Sequence, residues 1–398
     1  MMNKKIFIPI ILITVSLAGW LGCKKLYNPK IISSGGNYLV VEGVINTGSD
    51  PSLIKLSRTV PLSSNSSAKP ETGAIISIVT DGGINYPVTE TGNGNYVGAI
   101  INSNAAVKYS LKIVTNGGET YQSDFVSAKN SPPIDSVYYK ITNNGINIYA
   151  DTHDPTNSSR YYRWDFTDTY IFHSAFDSYG YYTPIPKDTV LARPPSQQIY
   201  QCWLNDTSSN VIVSSTAKLT NDVVSGNLIS TIASNSEKIA NRYSIQVNQY
   251  ILTVDAFNYY QQLKNNTQSL GTIFDPQPSE LPGNIHCLSN PAEVVIGYIT
   301  AGAPSKTRIF IDNRNLPNWQ SINYYAGCLL DTDLYKYAQK GGGFINQVAL
   351  NIYPGYAIPV LPIAVPNGPI LGWSASNPAC VDCSLRGSKI KPSYWIDY

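Results

Sequence analysis

From Asn37 onward, apolar and polar residues alternate in short runs broken by turn signals. This two-residue period predicts strands that send every second side chain into a core. Residues 38–45 form such a run, followed by a turn at Asp50-Pro51 and a second run at 53–56. Residues 74–79 close on Asp81-Gly82-Gly83 and are answered by 84–89, which predicts a hairpin. Residues 109–114 and 120–125 flank Asn116-Gly117-Gly118 in the same manner. Ser131-Pro132-Pro133 ends this body, because neither proline can donate to a ladder. Three further strands are predicted at 136–141, 146–150 and 161–166, with turns at Asn143-Asn144-Gly145 and around 151–159. A Tyr- and Pro-rich excursion follows from Tyr170 to about Tyr200, and residues 243–247 alternate again. One helix is expected, with Asp255 as N-cap and Phe257, Tyr260 and Leu263 on one face. Residues 293–300 and 308–311 return to strand, and the remainder is loop-rich.

This pattern predicts an all-β chain of two tandem sandwiches of immunoglobulin or fibronectin-III type. The first covers 37–132. The second covers 133–311, with an insertion at about 167–242 and the helix at about 255–267. A cysteine-containing extension, 312–398, is expected to pack on the second sandwich. Composition agrees: of 398 residues 43% are hydrophobic and only 14% charged, well below the usual quarter, with 29 Tyr, 29 Gly and 26 Pro. A helical bundle, a coiled coil and a disordered chain are disfavoured. Lys plus Arg number 28 against 26 acids, without the basic concentration that nucleic-acid binding uses, so no nucleic-acid partner is expected.

The amino terminus changes the picture. Met1 to Lys5 is a short positive leader, and residues 6–17 are an apolar run too short to span a bilayer comfortably. The run ends in Leu21-Gly22-Cys23, which looks like a bacterial lipobox, although Trp20 is larger than the residue such boxes usually carry. Residues 1–22 are therefore read as a lipoprotein signal peptide, Cys23 as the lipidation site and 23–36 as a tether. Removing the leader takes away Lys4 and Lys5 and leaves 26 bases against 26 acids, so acyl chains and not charge would hold the protein to its membrane. Lys24 is compatible with sorting to an outer membrane, and the leaflet stays open.

Five cysteines remain beyond Cys23: Cys202, Cys287, Cys328, Cys380 and Cys383. In an oxidising compartment they are disulfide candidates, and their odd number leaves one thiol over. The expected pairs are Cys202 with Cys287, and Cys328 with Cys380 or Cys383. Cys380-x-x-Cys383 could alternatively be a metal or redox motif, but one CxxC supplies half a zinc site and lies in no βαβ context. His153 between Asp151 and Asp154 could seat a cation, yet Asp in such turns usually bonds its own backbone. His286 and Cys287, adjacent on a strand, would point to opposite faces, and His173 lies among aromatics. No GxSxG, HExxH or phosphate loop occurs, and Gly92-Asn93-Gly94 reads as a turn. No catalytic residue, metal site or cofactor is nominated, and a non-enzyme is expected. Trp164, Tyr170, Tyr179, Tyr181, Tyr182 and Trp203 cluster about the excursion and are candidates for contact with a partner, sugar or peptide, against a role in ordinary packing.

The ordered set Leu39-Val40-Val41-Glu42-Gly43, Lys55-Leu56-Ser57-Arg58-Thr59, Asn95-Tyr96-Val97, Pro132-Pro133-Ile134-Asp135-Ser136-Val137, Tyr161-Tyr162-Arg163-Trp164 and Cys202-Trp203 resembles a family of Bacteroidota outer-membrane lipoproteins. Leu263-Lys264-Asn265-Asn266-Thr267, Phe274-Asp275-Pro276-Gln277-Pro278, Gly283-Asn284-Ile285-His286-Cys287, Cys380-Val381-Asp382-Cys383 and Lys391-Pro392-Ser393-Tyr394-Trp395 continue the likeness. That family carries the label domain of unknown function, and its genes often sit beside TonB-dependent receptors. The resemblance implies a lipid-anchored accessory or binding protein that partners such a receptor in nutrient uptake, without catalysis. A structural or assembly lipoprotein with no nutrient ligand is the alternative. Asp188-Thr189-Val190 and Asp135-Ser136-Val137 resemble the O-glycosylation acceptor pattern of these bacteria, making Thr189 and Ser136 candidate sites.

Overall fold

The structure, a computed structural model, describes residues 37–60, 67–101, 106–184, 189–268 and 283–397. The signal peptide at 1–22, Cys23, the tether, Asp188 and the Phe274-to-Pro278 motif lie outside the described residues. Within them the protein is all-β.

The first nine strands are β1 (Leu39–Asn46), β2 (Leu53–Arg58), β3 (Lys69–Pro70), β4 (Ile75–Thr80), β5 (Asn85–Gly92), β6 (Asn95–Gly98), β7 (Lys108–Val114), β8 (Thr120–Ser123) and β9 (Val126–Ser127). Both predicted hairpins are present, β4 with β5 and β7 with β8. Gly92-Asn93-Gly94 joins β5 to β6 as a tight turn. Asn93 (φ +52°) and Gly94 (φ +73°) take the left-handed conformation that such a turn requires.

The second body begins with β10 (Ile134–Thr142), β11 (Gly145–His153) and β12 (Tyr161–His173). It continues through β13 (Gly180–Thr183), β14 (Thr189–Ala192), β15 (Gln201–Thr207), β16 (Ile212–Ser215), β17 (Val223–Ala233) and β18 (Arg242–Ile251). β10, β11 and β17 make one antiparallel sheet. In the facing sheet β12 pairs with β18 on one side and with β15 and β16 on the other. Ile146, Ile148 and Ile232 from the first sheet meet Trp164, Tyr243 and Val247 from the second in one core. Gln249, fully buried, accepts from the Trp164 indole at 3.1 Å. Its amide nitrogen lies 3.0–3.1 Å from Ser131 Oγ, Pro132 O and Thr152 Oγ1, joining the Pro-Pro linker to both sheets. The expected insertion at 167–242 is corrected: β12 runs on to His173, and β15, β16 and β17 lie inside the sandwich. Their apolar positions are spaced among Ser, Thr and Asn, which hid the alternation. Between β12 and β15 the hairpin of β13 and β14 forms a separate two-stranded sheet.

Helix α1 (Val254–Gln268) follows. Its cap is Thr253, whose Oγ1 accepts from the Ala256 N–H at 3.2 Å, and not Asp255, which already lies in the first turn. Ala256 and Tyr259 are the buried face, with Phe257 against Tyr161 and Tyr260 alongside.

The chain then returns. β19 (Ile285–Cys287) and β20 (Thr300–Gly302) join the first sheet, β19 at the edge of β8 and β20 parallel to β1, before β21 (Ser305–Asp312) pairs with β18. Ala128 bridges Ala301, and β9 pairs with β7, so β20 seals the first sandwich along one edge. The tandem arrangement is thus corrected: residues 285–302, expected in the second sandwich, complete the first. Ile285, Val295 and Ile299 share its core with Leu39, Ile45 and Tyr109. The strand expected over 293–300 is corrected: only its last residue, Thr300, lies in a strand, with Ile296 in an isolated bridge to Val40, and β19 and β20, of three residues each, are too short for alternation to show.

The rest is a small module of β22 (Asp331–Leu334), β23 (Tyr337–Ala338), β24 (Phe344–Ile345), β25 (Ile358–Ala364), β26 (Ile370–Ser376) and the single-turn helix α2 (Pro378–Val381). The β13–β14 hairpin packs against β25.

Ile299→Ala removes a side chain with no exposed area. It is expected to cost about 2–5 kcal/mol in urea unfolding. Tyr96, in the same core, should lose its native environment in the same transition, because 285–302 is an integral part of the first body.

Candidate functional site

The aromatics nominated from sequence separate by burial. Trp164, Tyr170 and Trp203 are buried, so their candidacy for contact is corrected: they pack the interior. Trp164 belongs to the main core, and Trp203 meets Trp395 edge-on with centroids 6.3 Å apart. Period-two alternation along the long strand β12 carries Trp164 and Tyr170 inward. Tyr182 is half-buried and stacks on Tyr353 at 4.5 Å. Tyr179 is 56% exposed and Tyr181 partly so, both at the β13 end of the excursion.

The cysteines explain how that region is held. Cys202 bonds Cys383 and Cys328 bonds Cys380, while Cys287 is a buried free thiol. The expected Cys202–Cys287 pair is corrected, since β19 carries Cys287 into the first sandwich and Cys202 lies in the second. The CxxC motif therefore makes neither a metal site nor an internal redox pair. Cys380 ties inward to the module and Cys383 ties outward to β15, so α2 and the 3-10 turn after it form a rivet between module and sandwich. Two further contacts assist. Arg386 bonds Glu237 at 2.7 Å and lies over the Phe172 ring at 4.6 Å, and Trp395 inserts between Trp203 and Phe310.

The module itself has small cores. One gathers Val190, Val348, Ile352, Trp373 and Ala375, and another Ile199, Val360, Cys380 and Val381. Gly180 is required where the hairpin crosses Trp373, because a Cβ there would lie 2.6 Å from the indole ring. Much apolar surface is left outside. Leu329, Phe344, Tyr356, Leu385, Ile390 and Ile396 expose between 61% and 81% of their area, and among the described residues only Leu53 and Ile75 match them elsewhere. Sequence reasoning missed these positions; for Phe344 and Tyr356 a signal was there, since residues 341–381 contain no Asp, Glu, Lys or Arg. Exposed large apolar side chains in such number are a mark of interaction surfaces.

The polar candidates are satisfied locally. The Asp154 carboxylate accepts from Thr156, Ser158 and Ser159, the capped turn expected for it. Burial alone would raise its pKa, but these donors outweigh that and hold it below the ordinary carboxylate range. His153 Nδ1 pairs with Asp135 at 2.8 Å, which raises the imidazole above its usual value. His286 is exposed beside Asp124 at 3.1 Å, on the face opposite the buried Cys287. His173 stacks on Tyr200 at 4.6 Å. No His/Cys/Asp/Glu group suited to a metal ion occurs among the described residues. An open cleft of about 660 Å³ lies on the first sandwich, where Arg58 is already engaged by Glu71 at 2.7 Å and Glu293 at 3.5 Å. Ser136 donates to Asp151 at 3.3 Å inside β10, and Thr189 opens β14.

A family model described as "Domain of unknown function (DUF4249)" matches residues 24–308. The chain belongs to this family. The DUF4249 match spans both sandwiches, including the returning β19 and β20, and stops before the C-terminal part of the apolar module. A search of curated proteins finds no match. Among solved structures, one described as "Complete structure of manganese lipoxygenase of Gaeumannomyces graminis and partial structure of zonadhesin of Komagataella pastoris" has a chain similar over 56% of this chain and 91% of its own. Its identity is 10% and its TM-score 0.17, too low to carry an argument.

Alkylation should separate the cysteines of this DUF4249 member. Of the five from Cys202 onward, none is expected to react in the folded protein, and Cys287 alone after unfolding without reductant, read by peptide mass spectrometry. The His153–Asp135 pair gives a pH prediction. Its stabilisation is full below the unfolded histidine pKa and fades as pH rises through the higher folded one. Asp135→Asn should return the His153 NMR titration to the ordinary range.

Proposed function

We propose that this DUF4249 member is a lipid-anchored accessory protein of a Bacteroidota outer membrane that partners a TonB-dependent receptor in nutrient uptake, without catalytic chemistry. Cys23 would carry the acyl chains and the two sandwiches would act as a spacer. The observation that carries the reading is the set of large apolar side chains that the C-terminal segment leaves exposed, Leu329, Phe344 and Tyr356 among them. Exposed apolar side chains favour recognition of another protein, because burying apolar area is the main favourable term in association. The leader and lipobox pattern supports the anchored part of the reading. The rivet of two disulfides suits an oxidising envelope compartment.

Purification of the tagged full chain after mild detergent extraction tests the proposal. A TonB-type receptor is expected in stoichiometric amount. Phe344→Ser combined with Tyr356→Ser should reduce its recovery at least tenfold while leaving the melting temperature within about 2 °C, since exposed side chains contribute little to the core. Absence of the receptor overturns the partnership. Recovery of envelope assembly proteins in its place would favour a structural lipoprotein. In the same preparation Cys23→Ser should leave the detergent phase or remain unprocessed, and unchanged partitioning overturns the anchor.

A further inference from the structure

The two cysteines of Cys380-x-x-Cys383 are each bonded to a distant partner and not to one another, and the four sulfurs differ in access. Cys202 and Cys383 expose none of their area, and Cys380 exposes 4%. Cys328 alone is only half-buried. Its chain neighbours leave the approach open: Ala326, Gly327, Leu329 and Leu330 are exposed, and nothing lies within 4 Å of where a Cβ on Gly327 would stand. An external thiolate therefore meets the two disulfides at one sulfur, that of Cys328.

Attack at Cys328 expels Cys380 as the thiolate. Cys380 lies in α2 and Cys383 opens the 3-10 turn that follows, so both sit on one four-residue stretch. Asp382 between them leaves the helix, with φ −103° and ψ 100°, and makes a joint in that stretch. In the oxidised protein the two side chains enter different cores, Cys380 that of the module and Cys383 that of the second sandwich. The Cys328 bond is what holds Cys380 on the module side. Once it is cut, the sulfur closest in sequence to the Cys380 thiolate is that of Cys383, at the spacing that intramolecular dithiol motifs use.

We propose that these four cysteines form a thiol relay in which one external dithiol, such as that of a CxxC-type oxidoreductase, undoes both ties of the module. The first thiolate of the dithiol bonds Cys328 Sγ and releases Cys380. Cys380 Sγ then attacks Cys383 Sγ, forming Cys380–Cys383 and releasing Cys202. The second thiol of the reductant resolves the mixed disulfide at Cys328 and leaves as the reductant's own disulfide. Two electrons enter, the two protons of the dithiol end on Cys202 and Cys328, and one protein disulfide remains. Loop closure favours this direction, because bonds across 52 and 181 residues are exchanged for one inside a four-residue ring. The module is then held to β15 by non-covalent contacts such as Arg386 with Glu237. The relay depends on no reading of partner or anchor.

The test treats the folded full chain, in detergent, with one equivalent of dithiothreitol, followed by an acid quench and N-ethylmaleimide in denaturant. Peptides are mapped by mass spectrometry without further reduction. Cys202 and Cys328 should be labelled to the same extent. The tryptic peptide 341–386, which holds both Cys380 and Cys383, should emerge unlabelled and lighter by two hydrogens than its dithiol form. Cys287, a buried free thiol, is labelled in every sample after unfolding and serves as the reference. In the Cys328→Ser/Cys380→Ser variant, label on Cys202 should fall about tenfold, since its own disulfide is shielded from direct attack. Should that variant fail to fold, the wild-type map decides alone. Label on Cys380 comparable with that on Cys328 overturns the relay, as does absence of label on Cys328 or undiminished label on Cys202 in the folded variant.

Discussion

Two covalent bonds from one short turn decide what this molecule can display. The module built from the excursion and the C-terminal residues buries only small clusters, around Trp373 and around Val360. Units of that size rarely hold a fold by apolar burial alone. Cys328–Cys380 closes the module on itself, and Cys202–Cys383 fastens it to the β15 edge of a well-packed sandwich. Each closes a long loop, for which chain-entropy estimates run to about 2–5 kcal/mol. With its geometry held this way, the module can leave large apolar side chains at its surface.

The second sandwich supplies the fixed support. Its core is apolar except where a polar group links layers. Gln249 joins the Trp164 indole to the interdomain linker. Asp168, buried, accepts from Tyr243 and pairs with Lys238. A buried polar group with its partners in place fixes one arrangement of the sheets, whereas losing one partner strands the other at a cost of several kcal/mol. Sheet alignment, and with it the position of β15 under the rivet, follows from these bonds.

Much of this was legible from residue order. Alternation located β1, β2, β4, β5, β7, β8, β10, β11, β12, β18 and β21, while β15 to β17 and the strands of the C-terminal module escaped it. The Gly-rich turns located the hairpins of the first body, and Ser131-Pro132-Pro133 marked the first crossing between bodies. That His286 and Cys287 face opposite sides of their strand followed directly from period two. Pairing across long separations was not legible. β20 beside β1 and Cys202 beside Cys383 are set by tertiary packing, and a window of ten residues holds no trace of either partner. The aromatic cluster misled for a related reason. Tyr and Trp suit a half-buried strand as well as a binding loop, and on β12 the register placed Trp164 and Tyr170 inside. The exposed apolar side chains within 341–381, Phe344 and Tyr356 among them, were legible only as an absence, the lack of charge over that stretch.

The return of β19 and β20 to the first sandwich has a bearing on export. A chain that crosses a membrane from its amino terminus delivers β1 to β9 long before Thr300, Ala301 and Gly302 arrive. Until then β1 has an open edge at Val44 and Ile45, and the core around Leu39 lacks Val295 and Ile299. On the proposed export route the amino-terminal body would therefore finish only after most of the polypeptide had been translocated. During that interval it would need shielding, or fast delivery of the remaining chain, to avoid edge-to-edge association.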